Sequence, residues 1–316
     1  MDKTSAYLRD LFPFSERVIE QAFLALSDDI GKGDITTLAL SLDGERVEEA
    51  TIVAREQGIL CGTLEAKTIL EAGGLETQWH KDEGDAFEAG ETLATVRGKI
   101  ADLLGRERTA LNYLQILSGI ATLCGFFSKR FPGKVASLRK THPGIAFSEK
   151  RAIAVGGVFT HRLCLDDGFL IKDNHLALVA RELFGESKIS ENQKLRAVEE
   201  SLRRARKYRT EHHLERAFIE VEVESMAQAL IAANMFLVEK VPDMVLLDNM
   251  EPNIVRKCVQ AIRKVAGPKL LIEASGGITS DNLKLYLDTG VDVASMSFLT
   301  LGARPLDIGM KIVGYK

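Results

Sequence analysis

The feature that most constrains this 316-residue chain is an alternation that begins near residue 135. Short β-prone runs (VASLRKT, GFLIKDNH, FIEVEVES, DMVLLDNM, KLLIEASGGI and VDVASMSFLT) alternate with amphipathic helical segments. Parallel strands joined by right-handed helical crossovers are what such an order produces. Several runs finish on a charged or small polar residue: Arg139 and Lys140, Lys172 and Asp173, Glu222 and Glu224, Asp248, and Ser275 with Gly276 and Gly277. An open doubly wound sheet offers ligand groups at one or two strand ends, whereas a (β/α) barrel brings all its strand ends to one rim. The spread over five or six strand ends predicts a barrel.

The first third of the chain has a different pattern. Ser15 to Leu26 places Val18, Ala22, Phe23 and Leu26 at helical spacing, and the breaker-rich SDDIGKGD follows. From Val47 to Ile100 short β-prone runs are separated by glycines, the pattern of a small sheet. Glu83 to Val96 has the glycine spacing of a biotinyl or lipoyl carrier hairpin, yet no lysine stands at a hairpin tip to hold the prosthetic group. Leu103 to Thr122 carries Leu103, Leu104, Leu111, Leu114, Leu117 and Ile120 among helix formers and predicts a buried helix. The expected fold is α/β, with an N-terminal α+β sheet domain over residues 1–112 and a barrel over 113–303.

Charge points to the ligand. The chain is slightly acidic, with net charge -4, yet Arg139 to His175 concentrates Arg139, Lys140, Lys150, Arg151, Arg162, Lys172 and three of the six histidines. A cationic cluster in an acidic chain is placed for a small polyanion. The basic stretch Ser201 to Arg209 shares its helix with Glu199 and Glu200 and an apolar stripe, which predicts a solvated outer barrel helix rather than a nucleic-acid surface. No apolar run is expected to reach membrane-spanning length, and the N-terminus lacks a secretory signal, so a cytoplasmic location is expected. Cys61, Cys124, Cys164 and Cys258 form no CxxC pair and predict reduced, mostly buried thiols.

Three groups carry chemistry. Ser275-Gly276-Gly277 lies between a strand and a helical run expected to start near Thr279, where backbone N–H groups favour an anion such as a sugar phosphate. Ser297 and Phe298, at the next strand end, would complete that cradle. Glu222 and Asp248 end consecutive strands, and a pair of carboxylates with substrate phosphate oxygens suits a magnesium ion. Glu220, Glu222 and Glu224 alternate along one strand and share the barrel's inner face. They could simply pair with the cations of neighbouring strands, but buried ion networks stabilise weakly, and so many ionisable groups at one rim argue for a ligand.

Taken together, DIGKGDITT, GILCG, GDAFEAGETLATV, RERTALNYLQILSGIAT, RKTHPG, HRLCLDDGFLIKDNH, EVEVES, LLDN, EASGGI and GVDVAS resemble the quinolinate phosphoribosyltransferases, a family of type II phosphoribosyltransferases. The resemblance implies an incomplete seven-stranded (β/α) barrel, with residues 304–316 returning to the N-terminal sheet domain. It implies a homodimer with shared active sites, in which Arg108 reaches the partner's barrel mouth. It further implies transfer of ribose 5-phosphate from phosphoribosyl diphosphate to the ring nitrogen of quinolinate, with loss of diphosphate and carbon dioxide.

By the same resemblance, Arg108, Arg139, His161, Arg162 and Lys172 meet the two carboxylates of quinolinate. Ser275, Gly276, Gly277, Ser297 and Phe298 take the 5-phosphate, and Lys140, Glu222 and Asp248 are the catalytic set around magnesium. Leu138, Val155, Thr160 and the Ser297-Phe298 pair depart from the family pattern, and the last implies weaker sugar-phosphate affinity. Two other readings of the same chemistry are a paralogue acting on another aromatic carboxylate and a non-catalytic barrel that binds a sugar phosphate.

Overall fold

The computed structural model describes residues 15–40, 43–185 and 188–314. Its elements begin with α1 (Ser15–Ile30), α2 (Ile35–Ala39), β1 (Val47–Ala54), β2 (Gly58–Ile59), α3 (Thr63–Glu71), β3 (Glu76–Trp79) and β4 (Ala86–Phe87). They continue with β5 (Thr92–Lys99), α4 (Ile100–Arg130), β6 (Val135–Ala136), α5 (Ala146–Val155), β7 (Phe169–Ile171), α6 (Asp173–Phe184), α7 (Glu191–Glu211) and β8 (Ile219–Val223). The last are α8 (Met226–Glu239), β9 (Met244–Asp248), α9 (Pro252–Ala266), β10 (Leu271–Ser275), α10 (Leu283–Leu287), β11 (Val293–Ser295), α11 (Phe298–Leu301) and β12 (Ile308–Ile312). Among the described residues, 133–139 and 160–298 form one compact unit and the remainder forms the other.

The sheet unit is built on an antiparallel sheet of order β12-β1-β5-β3. Along β1 the burial alternates, with Ala50, Ile52 and Ala54 inside, as expected of a sheet with one face on a core. α4 is the helix read from Leu103 to Thr122, but longer, and residue 112 lies inside it rather than at a boundary. By length and composition α4 does reach membrane-spanning size, contrary to the sequence reading. The reason is packing: α3, α5 and the sheet cover it, and 67% of its most apolar window is buried inside the protein.

The C-terminal segment returns to this unit. β12 pairs with β1 from Ala50↔Ile312 to Ala54↔Ile308, and the chain leading to it crosses α4 at Gly119. A Cβ there would lie 2.1 Å from the Arg304 carbonyl oxygen, so only glycine fits the crossing. Glu56 then clips the segment, accepting from Arg304 Nη1 at 2.8 Å and from the Asp307 N–H at 2.7 Å.

Two cations of the Arg139–His175 segment turn out to serve this unit. Arg151 pairs with the fully buried Glu65 and lies 3.4 Å from Glu83, and Glu83 in turn caps α3 by accepting the Thr63 N–H at 3.0 Å. Lys150 is 1% exposed on α5. Neither belongs to an open anion pocket.

The second unit is a parallel sheet of order β6-β11-β10-β9-β8-β7, an incomplete barrel whose edges are β6 and β7. A further segment meets β6 through Ser137 Oγ, which donates to the Thr160 carbonyl at 2.8 Å. α9 shows why the outer layer forms: Pro252 starts it, and Val255, Cys258, Val259 and Ile262 fall on one buried face. Each such side chain contributes about 1.5–3 kcal/mol on burial. On α7 the bases are matched by acids, Arg203 by Glu239, Arg204 by Glu182 and Glu200, and Arg209 by Asp243. All four cysteines are free thiols, and Cys61, Cys124 and Cys258 are buried.

Candidate active site

Strand register sets the rim of the barrel unit. β9 and β10 pair Asp248 with Ser275, and β8 and β9 pair Glu222 with Leu246. Glu222 and Asp248 are therefore carried by neighbouring strands, both half-buried. The three glutamates of the β8 segment climb outward: Glu220 is fully buried, Glu222 half-buried and Glu224 exposed. Burial pushes the Glu220 carboxyl up to about 8, against the pull of Arg162 and Lys172. Burial, reinforced by Asp248, pushes Glu222 up to about 7. Two carboxyl groups that raise each other's cost of ionisation are relieved by a shared cation, so this donor set fits magnesium.

The opposite charge collects beside them. Arg162, 5% exposed, has its guanidinium pulled below its ordinary range by burial and then by the charge of Arg139. Its Nη1 donates to the Gly168 carbonyl at 2.9 Å. Gly168 is required there because a Cβ would stand 2.8 Å from the Phe218 ring. Arg139 and Lys172 are exposed, and the Lys172 charge reaches both Glu220 and Glu222. Cations gathered at a strand-end rim could receive a planar carboxylate, which arginine meets bidentately.

Ser275-Gly276-Gly277 works differently from the sequence expectation. Gly276, at φ +89°, leaves no room for a Cβ, which would meet Asn249 Oδ1 at 2.4 Å, whereas Gly277, at φ +62°, faces open space. Asn249, itself left-handed at φ 51°, donates its backbone N–H to the Ser275 carbonyl at 3.0 Å. The helix does not start near Thr279 but at Leu283 and is only five residues long. Asn282 ties the intervening loop, accepting the Thr279 N–H at 2.8 Å and donating to the Gly277 carbonyl at 3.0 Å. A helix this short offers little dipole, so an anion at this loop would be met by the loop's own N–H groups and by Ser275. Ser297 and Phe298 are half-buried just after β11, where Phe298 begins α11.

Two expected residues, Lys140 and His161, are placed otherwise, whereas Arg108 lies exposed in the sheet unit as expected. Lys140, also exposed, lies in the sheet unit rather than the barrel unit. The Lys140 carbonyl accepts from Thr300 Oγ1 at 2.7 Å, while Arg108 stands on α4. His161 belongs to the barrel unit but is 2% exposed, with its ring directed inward. Its Nδ1 accepts the Arg162 N–H at 2.7 Å, and its Nε2 lies 3.0 Å from Glu220 and 3.6 Å from Glu273. Glu273, Asn249 and Asn282 escaped the sequence reading. Glu273 had a signal, since it is the acid in a strand otherwise apolar up to Ser275, but the two asparagines act through backbone geometry that spacing does not reveal.

Comparison with known proteins agrees with this inventory. The family model "Quinolinate phosphoribosyl transferase, C-terminal domain" matches residues 126–311, and the corresponding N-terminal domain model matches residues 34–118. A probable nicotinate-nucleotide pyrophosphorylase (carboxylating) of Methanothermobacter thermautotrophicus is 39% identical, over 91% of this chain and 96% of the relative. One from Bacillus subtilis is 34% identical, over 90% of each chain. Among solved structures, the nicotinate-nucleotide pyrophosphorylase from Francisella tularensis superposes with a TM-score of 0.77 at 26% identity, over 94% of this chain and 96% of that one. With both domain models matched in order and relatives aligned over nine-tenths of its length, the chain belongs to the quinolinate phosphoribosyltransferase family.

Proposed function

We infer that the protein transfers ribose 5-phosphate from phosphoribosyl diphosphate to quinolinate, giving nicotinate mononucleotide, diphosphate and carbon dioxide. The observation that carries this reading is that Arg139, Arg162 and Lys172 share one compact unit with Glu222, Asp248 and the Ser275-Gly276-Gly277 loop. One rim thus offers a receptor for an aromatic dicarboxylate and another for a sugar phosphate carrying diphosphate.

In the reaction, Arg139, Arg162 and Lys172 hold the two ring carboxylates and set the ring nitrogen against C1 of the ribose. The C1–O bond to diphosphate breaks, the N–C1 bond forms, and the electron pair leaves with diphosphate. Glu222 and Asp248 would hold magnesium, which supplies charge neutralisation for diphosphate when bound. In their ionised form, which a bound cation favours, these carboxylates also favour the oxocarbenium character that builds on the ribose. The ring nitrogen, now cationic, stabilises the electron pair left at C2 when the 2-carboxylate departs as carbon dioxide. A proton from solvent then completes C2, and no organic cofactor is required.

Lys140 and Arg108 enter this scheme through the family resemblance, Lys140 beside diphosphate and Arg108 from the second subunit of a homodimer. The reaction is assigned to the cytoplasm. No nucleic acid or membrane takes part in it, and the paired bases of α7 support the former. Isothermal titration of quinolinate against nicotinate tests the reading. Two to three cations facing the ligand call for much tighter binding of the dicarboxylate, about tenfold or more; equal affinity would favour a paralogue with another substrate.

A further inference from the structure

Glu149 is fully buried on the first turn of α5, and each of its carboxylate oxygens bonds His142. Oε2 accepts the His142 backbone N–H at 3.0 Å, and Oε1 lies 2.5 Å from His142 Nδ1. A carboxylate only accepts, so both bonds are donated by His142 and the ring carries a proton on Nδ1. A buried carboxylate is costly unless its oxygens are satisfied, and His142 satisfies them while its own ring stays exposed. The main chain and the ring of residue 142 are therefore fixed from one point.

His142 stands just beyond Lys140, and the chain between them has little freedom. Pro143 keeps the residue before it extended, and the turn closes with the Ile145 N–H on the His142 carbonyl at 3.4 Å. Lys140 itself is held at its carbonyl, which accepts from the buried Thr300 Oγ1 at 2.7 Å. The anchor does not yield: Ala152 and Ile153 are buried on α5, and Arg151 ties that helix to Glu65 of α3. All these residues lie in the sheet unit.

The Lys140 side chain is exposed, and among the described residues no carboxylate pairs with its ammonium. A charge on a flexible stem has no direction of its own, so where it goes depends on how the backbone beneath it is held.

We propose that Glu149 and His142 are positioning residues of the transfer reaction: the buried carboxylate grips His142, Thr300 grips the Lys140 carbonyl, and the clamped loop presents the Lys140 ammonium to the diphosphate group. Neither Glu149 nor His142 touches substrate. The inference rests on the reading of Lys140 as a diphosphate contact.

Titration calorimetry with phosphoribosyl diphosphate and magnesium tests the clamp. At position 142, Asn keeps an N–H donor where Nδ1 stands and loses Nε2, whereas Leu keeps bulk and offers no side-chain donor. His142→Asn holds the dissociation constant within about threefold of the parent, and His142→Leu weakens binding about tenfold or more, the range seen when a supporting contact is lost. Glu149→Gln combined with His142→Leu weakens binding no further than His142→Leu alone, since both act on one bond. In a Lys140→Ala background the His142→Leu change costs less than about twofold, because the ammonium it would misplace is gone.

A loss from His142→Leu that is as large in the Lys140→Ala background as in the parent would overturn the proposal, since a merely structural role acts equally in both. His142→Asn binding as weakly as His142→Leu would overturn it in favour of direct contact through Nε2. A Lys140→Ala protein that binds as tightly as the parent would instead defeat the reading of Lys140, and the two failures are thereby distinguished.

Discussion

Asp248 and Ser275 are register partners on adjacent parallel strands, so the acidic end of β9 and the start of the glycine loop are one strand spacing apart. Asn249 locks the two together, donating its backbone N–H to the Ser275 carbonyl at 3.0 Å and its side-chain amide to Asp248 at 3.2 Å. A diphosphate and a 5-phosphate on one ribose need their receptors at such a fixed offset.

The lock makes Gly276 the most sensitive position of the loop. Gly276→Ala forces a Cβ to within 2.4 Å of Asn249 Oδ1 at a φ of +89°. About 1–3 kcal/mol of strain is expected, together with a raised KM for phosphoribosyl diphosphate. Gly277→Ala meets no neighbour, so its cost comes from backbone conformation alone and its thermal midpoint should fall less. Melting curves and initial rates on both variants check the order.

Glu222→Gln and Asp248→Asn preserve shape and remove charge. Each should lower kcat by about a hundredfold or more, as loss of a charge aimed at the transition state does, and should raise the magnesium concentration needed for half-maximal rate. Diphosphate release measured across a magnesium titration is the check.

Arg108→Ala should abolish activity, and so should Lys172→Ala. If the sites are shared between subunits, mixing and re-associating the two inactive proteins restores part of the activity, about a quarter if subunits assort at random. No recovery in mixtures shown by light scattering to contain dimers would contradict the shared site.

The Glu56 carboxyl is held down to about 2 by the Arg304 guanidinium and the Asp307 N–H, from an ordinary value of 4.5. A depressed carboxyl contributes its stability above the unfolded value and loses it as pH falls through the folded one. The contribution to anchoring β12 should therefore be complete at neutral pH and fade between about pH 4.5 and 2. It should be modest, because the Arg304 side of the pair is solvent-exposed. Glu56→Gln should lower the melting temperature at pH 7 and make no difference near pH 2.

The barrel and the sheet unit were legible from period and glycine spacing, because strand order in a parallel sheet follows from alternation with helices. Glu222, Asp248, Arg139 and Lys172 were legible for the same reason, since a residue at a strand's C-terminal end must reach the rim. What could not be read was burial direction. His161 and Arg162 look equally available in HRLC, yet one ring turns inward to Glu220 and the other side chain anchors on Gly168. Arg151, one of the clustered bases, is committed to Glu65 and Glu83, both more than 65 residues away in sequence. α4 was legible as a buried helix, but its extension to 31 residues, which brings its length and composition to membrane-spanning size, was not. The helix after Gly277 was placed four residues early because Asn282, not Thr279, organises the turn.

The central claim is tested most directly by incubating the protein with quinolinate, phosphoribosyl diphosphate and magnesium and quantifying the products. The account predicts nicotinate mononucleotide, diphosphate and carbon dioxide in equal amounts, with no turnover when quinolinate is replaced by nicotinate. Binding of both substrates without diphosphate release, or faster turnover of a monocarboxylate, would contradict it.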